Sequence, residues 1–185
     1  MLRIMGVDPG LTRCGVGIID SGNSRSVQFI AVETITSDKN VSVDSRIGAI
    51  AVQLERLITE HRPDRLAIER VFAQQNLRSV MGTAQISGVV FYLANKHRIP
   101  VDLHTPTEVK AAVTGSGRAA KQQVGEMVKR ILKLEEIPKP ADAADSLAIA
   151  ICNAWRQGPT AVNSTTSAQA VWKSAIAQSK TKGRS

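Results

Sequence analysis

Apolar residues near the start of the chain fall in short blocks that end at turn-forming residues. "LRIMGVD" and "CGVGIID" are separated by "PGLTR", and "VQFIAVETI" follows "SGNSRS". Such runs, bounded by Pro, Gly, Ser and Asn, predict strands. Three strands on short links make an antiparallel meander. From Asp44 the period changes: Ile47, Ile50, Ala51, Leu54, Leu57 and Ile58 recur at helical spacing, and the Pro of "HRPD" ends that helix. "RLAIERV" predicts a short buried strand carrying Glu69 at its end. A small-residue helix from about Arg78 to Arg98 follows, then the strand "VDLH". "TPTE" is a helix start, with Thr105 as cap, Pro106 in the first turn and Glu108 closing a capping box. "TGSGRAAK" breaks that helix and predicts a mobile basic loop. Two last helices, from about Lys121 to Leu134 and from Ala141 to Trp155, flank Pro138 and Pro140.

The order βββαβαβααα predicts an α/β fold in which a mixed five-stranded sheet, a meander plus parallel strands, is flanked by helices. A chain of 185 residues with 43% hydrophobic content suits one domain with its own core. That domain is expected over residues 1–156. Residues 157–185 turn to Ser, Thr, Ala and Gln, with Lys173, Lys180, Lys182 and Arg184 and no acid, and are expected to form a flexible basic tail.

Charge narrows the class of partner. A net charge of +8 suits a polyanion such as nucleic acid. Three Phe, two Trp and one Tyr are too few for a broad stacking platform for single strands. Cys14 and Cys152 lack paired spacing and read as reduced thiols. No signal segment or membrane-length apolar run is visible, so a cytoplasmic location is expected.

Candidate chemistry lies in four acids. Asp8 and Glu69 each end an apolar strand, and Asp142 and Asp145 stand three apart in "PADAADSLAIAIC" on one helical face. If the fourth strand pairs beside the first and that helix crosses the sheet, all four converge. Clustered carboxylates raise each other's pKa. Hard divalent cations relieve that conflict, since Mg²⁺ prefers carboxylate and water oxygens. Two such ions about 3.5–4 Å apart can activate water and stabilise a leaving phosphate oxygen. Each acid also has a plainer explanation: Asp8 as a turn former before Pro-Gly, Glu69 as a surface partner of Arg70, the helix pair as a complement to the macrodipole. Four such accidents together are less probable than one site. His61, His97 and His104 lack ligand spacing, and "GSG" is too short for a phosphate loop.

With these acids in this order, "GVDPGLTRCG", "AIERVF" and "ADAADSLAIAI" resemble motifs of the RuvC family of Holliday-junction resolvases. The resemblance spans about residues 3–156. It implies an RNase H-like fold, a homodimer, and paired nicks in opposing strands of four-way junction DNA. It further implies Mg²⁺ or Mn²⁺, with two ions per site, and work alongside RuvA–RuvB. Carried over by motif, Asp8, Glu69, Asp142 and Asp145 are the metal-binding catalytic acids, although some relatives place His at the position of Asp142. Phe72 falls on an aromatic that stacks on a base near the crossover, its alternative being a core plug. Lys110 and Lys121 match basic residues near the scissile phosphate, their alternative being solvated helix charges. The implied reaction is in-line attack by a metal-activated water, leaving 5′-phosphate and 3′-hydroxyl ends.

A two-fold dimer would match the two equivalent strands of a junction. Gly82, Ala84 and Gly88 in "SVMGTAQISGVVFYLA" permit close packing and are the expected subunit interface. Three rival readings share features with this one. Another RNase H-like nuclease would carry the same acids. A nucleotide binder of the actin and sugar-kinase type would share the "DPGLTRCGVGIID" phosphate loop, but the chain has no room for the duplicated second half. A non-catalytic DNA-binding subunit would gain nothing from acids facing DNA.

Overall fold

A computed structural model of the chain describes residues 1–70 and 77–156. The elements are β1 (Leu2–Asp8), β2 (Arg13–Ser21), β3 (Val27–Thr36), α1 (Val43–His61), β4 (Arg65–Glu69), α2 (Leu77–Lys96), β5 (Val101–His104), α3 (Pro106–Thr114), α4 (Lys121–Leu132) and α5 (Ala141–Arg156). The strands form one sheet in the order β3-β2-β1-β4-β5. β1, β2 and β3 are antiparallel neighbours, while β4 runs parallel to β1 and β5 parallel to β4. This is the mixed sheet expected from the sequence. The expected tail, 157–185, and Phe72 lie outside the described residues.

The two-residue period of the strands divides the core into two layers. Met5, Val7, Val16, Ile18, Leu66 and Ile68 pack with Ile50, Leu54, Ile86 and Val90 of α1 and α2. Ile4, Ile19 and Ala67 face the other way, against Val109, Val128 and the buried length of α5. α5 is apolar nearly all round, as a helix enclosed on several sides must be. Its Leu147, Ile149 and Ile151 are fully buried, each contributing about 1.5–3 kcal/mol by leaving water.

Glycines decide how close α5 comes. Gly6 pairs with Gly17 and Gly15 with Asp8 across β1 and β2. A Cβ on Gly6 would strike the backbone at Ser146 and Ala150, one on Gly17 would meet Leu147, and one on Gly15 would strike the carbonyl of Asp142. Isolated strand glycines mark such approaches of one backbone to another. α5 therefore lies on bare backbone rather than on a layer of side chains.

The helix signals hold in detail. Glu108 N–H donates to Thr105 Oγ1 at 3.2 Å, and Thr105 N–H donates to Glu108 Oε2 at 2.8 Å, completing the capping box. The basic loop after α3 is largely exposed and keeps a few contacts to its helix. Gly115 caps the helix at φ 80°, Gly117 sits over Thr107, Ala119 is buried, and the Thr114 hydroxyl donates to Ser116 O at 3.0 Å. Its two glycines supply a left-handed cap and a close contact, which keeps the loop against its helix.

Candidate active site

Asp8 ends β1 on the parity of Ile4 and Gly6, so its side chain emerges on the α5 face. The β1–β4 register runs to Val7↔Ile68, which places Glu69 beside Asp8 one step on, with the parity of Ala67. α5 starts above this sheet edge and supplies Asp142 in its first turn and Asp145 one turn later. Strand alternation and helical period thus direct four acids to one end of the sheet.

Asp8 and Glu69 bear the electrostatic mark of that crowding. Asp8 is pushed up to about 7, first by burial and then by the charges of Asp145, Glu69 and Asp142. Glu69 is raised by burial and by Asp145, against the opposing pull of Lys121 and Lys110. Lys121, at the start of α4, sets its Nζ 3.1 Å from Asp145 Oδ2. The charge of Asp145 and the hydrogen bond to it raise the lysine above its ordinary value. Lys110, on α3, stands within electrostatic reach of Glu69. The structure thus brings together six of the residues picked out in the sequence.

Two features escape the sequence reading. Gly15 gives the start of α5 its position, and the glycines within an apolar strand were the available signal. Arg13, the first residue of β2, sets its Nε 2.8 Å from Asp142 Oδ2. No sequence signal joins residues so far apart. The approach has ion-pair distance without hydrogen-bond alignment, because Asp142 Oδ2 is buried and accepts no hydrogen bond.

A divalent cation suits this donor set. Among the described residues, no group of three or more His, Cys, Asp or Glu side chains is drawn into a finished metal cage. Repulsion between the acids opposes one, and Arg13 and Lys121 hold Asp142 and Asp145 in ion pairs of their own. Mg²⁺ needs no closed cage, since it keeps several waters and takes one or two carboxylates with substrate phosphate. An all-oxygen cluster containing a buried, unbonded carboxylate oxygen fits such an ion.

Comparison with known proteins decides the family. The family model described as crossover junction endodeoxyribonuclease RuvC matches residues 4–153. The crossover junction endodeoxyribonuclease RuvC of Rhodococcus opacus is 56% identical over 155 residues, covering 84% of this chain and 82% of that one. The chain belongs to the RuvC family. Its relative of the same description in Paenarthrobacter aurescens is 47% identical over 98% of both chains. The structure of Thermus thermophilus RuvC in complex with a Holliday junction substrate aligns with a TM-score of 0.80 at 29% identity, covering 84% of this chain and 94% of that one. The fold is therefore RNase H-like, as the RuvC resemblance implied, and the sugar-kinase alternative falls away.

The expected interface residues divide between two faces of α2. Ala84 and Gly88 are exposed, and a Cβ on Gly88 would meet nothing within 4 Å. Gly82 is turned inward against Leu11, so its small size serves packing within the chain. Met81, Phe91 and Tyr92 are exposed at 59%, 42% and 66%, forming an apolar stripe with Ala84 and Gly88.

Proposed function

We propose that this chain is a Holliday-junction resolvase that nicks four-way DNA at the carboxylate cluster of Asp8, Glu69, Asp142 and Asp145. The observation that carries the reading is the convergence of those acids, from β1, β4 and α5, on one sheet edge in a chain of RuvC type. A non-catalytic DNA binder has no use for anions at that edge.

Membership in this family implies metal dependence, and Mg²⁺, with Mn²⁺ as substitute and two ions per site, is the ion proposed. The four acids would hold it. When bound it would activate the attacking water and stabilise the leaving oxygen. The chain's own groups do the rest. Lys121 offsets the charge of Asp145 and lies where it can steady charge developing on the phosphate. Lys110 offsets Glu69 in the same way. Phe72 is proposed, on the motif alone, to stack on a base near the crossover.

The exposed α2 stripe supports a homodimer, whose two-fold axis would present two equivalent sites to two equivalent strands. We further assign a catalytic unit to residues 1–156, followed by a basic segment over 157–185, cooperation with RuvA–RuvB, and a cytoplasmic setting. Among the described residues no helix is long and apolar enough to cross a membrane.

The test is a synthetic mobile junction incubated with the protein, with and without Mg²⁺. Paired symmetric nicks that require the ion are expected. Ion-independent cutting, or nicking of linear duplex at an equal rate, would overturn the reading.

A further inference from the structure

Arg13 has a fixed base and a largely exposed side chain. Its backbone pairs with Thr36 at the start of β2. The preceding turn is tied down by Arg46, whose Nη2 donates to Leu11 O at 3.2 Å and Thr12 Oγ1 at 3.0 Å. Ser37 adds a bond from its N–H to Thr12 O at 3.2 Å. Beyond this anchored base the Arg13 side chain is 59% exposed. It lies along a cleft of about 960 Å³ shared with Lys39, Arg46 and Asp142. The contact at its end is the unaligned one described above, to a carboxylate oxygen that no hydrogen bond satisfies.

A guanidinium placed for strong, lasting pairing grips a carboxylate with two parallel hydrogen bonds. Arg13 does not. A half-exposed ion pair without that geometry is weak, and a divalent cation can displace it. The displaced guanidinium would remain within one side-chain length of the acid, on a rigid base, in an open cleft. Guanidinium is also the side-chain group best matched to phosphate.

We propose that Arg13 is an interchangeable counter-ion for Asp142: it neutralises the acid while no metal is bound, yields to the incoming divalent cation, and then turns to a DNA phosphate. The inference rests on the reading of the four acids as a metal site. It makes Arg13 a positioning residue with two alternative partners, and it predicts that metal and DNA are coupled through one side chain.

The experiment measures Mn²⁺ binding to the full-length protein without DNA, by electron paramagnetic resonance at moderate salt. Arg13→Gln should bind Mn²⁺ about two- to fivefold more tightly than the unmodified chain, the scale of losing one weak competing ion pair. Lys39→Gln removes the same charge from the same cleft without removing a partner of Asp142, and should stay within about 1.5-fold, since distant exposed charges are screened. Junction affinity supplies the second arm. Arg13→Gln should weaken binding several-fold in Ca²⁺ and leave it nearly unchanged in EDTA, where Arg13 is held by Asp142. Unchanged Mn²⁺ affinity, an equal gain in Lys39→Gln, or a junction penalty equal with and without Ca²⁺ would each overturn the proposal. Any of these overturning results, obtained while Mn²⁺ binds the unmodified chain and Asp145→Asn abolishes that binding, rejects the role of Arg13 and leaves the metal site standing. Absence of any Mn²⁺ binding rejects both.

Discussion

Gly15 lies directly beneath the backbone carbonyl of Asp142, at a spacing that no side chain on Gly15 would allow. The same glycine is the cross-strand partner of Asp8. One missing methyl group therefore sets the distance between the acid of β1 and the first acid of α5. Gly15→Ala should lower stability by roughly 1–3 kcal/mol, the scale of an overpacked core, as read from urea denaturation. Cleavage at a temperature where the variant stays folded should fall further than that of Gly17→Ala, which displaces α5 away from the acids. Equal activity in the two would show that the start of α5 can shift without consequence.

Asp8→Asn should leave junction binding near its normal level and reduce nicking by at least about 10²-fold, the scale of removing one group that stabilises a transition state. Gel-shift and cleavage assays on the same junction make the separation. Near-normal cutting by this variant would remove Asp8 from the chemistry.

The raised Asp8 carboxyl has a definite consequence for pH. With its folded value near 7 and its ordinary value at 3.8, the folded, metal-free protein holds a proton that the unfolded chain releases. Stability in EDTA should therefore fall as pH climbs from about 4 to 7 and level off above it. Glu69, shifted in the same direction, adds to the slope. Divalent cations bind the ionised acids, so their affinity should rise with pH up to about 7. Denaturation curves across this range should show the slope, and Asp8→Asn should flatten it. A slope of opposite sign would contradict the buried, mutually repelling arrangement of the acids.

Lys121 is 77% exposed and pairs with Asp145 at 3.1 Å, so its part in stability is small. Lys121→Gln should shift the denaturation midpoint little while cutting cleavage by about 10- to 100-fold, within the range for a positioned charged or proton-transferring group. A loss confined to junction affinity would recast it as a simple phosphate contact.

Gly88 stands at the middle of the exposed α2 stripe, with open space where its Cβ would be. Gly88→Arg should leave the monomer folded and shift sedimentation from dimer toward monomer, with loss of paired nicking. An undisturbed dimer would move the interface elsewhere.

Much of this was legible because strand blocks and turn residues alternate cleanly in the first part of the chain, and because the helix starts carry caps such as Thr105 with Glu108. The acids were legible because each follows a strong local pattern. Features that depend on meeting across the fold were not. Arg13 and Asp142 are joined by no local pattern, and Gly82 and Gly88 look alike in sequence while facing opposite sides of α2. The local patterns mark the four acids, but nothing in them signals that Asp142 and Asp145 stand in ion pairs with Arg13 and Lys121.

The placement of Asp142 and Asp145 on α5 also bears on the cell that makes the protein. A chain still emerging from the ribosome completes β1 and β4 long before α5 is available, so it carries only half of the acids until synthesis is nearly done. Partial products and premature-stop fragments that end before α5 would then lack the means to cut DNA.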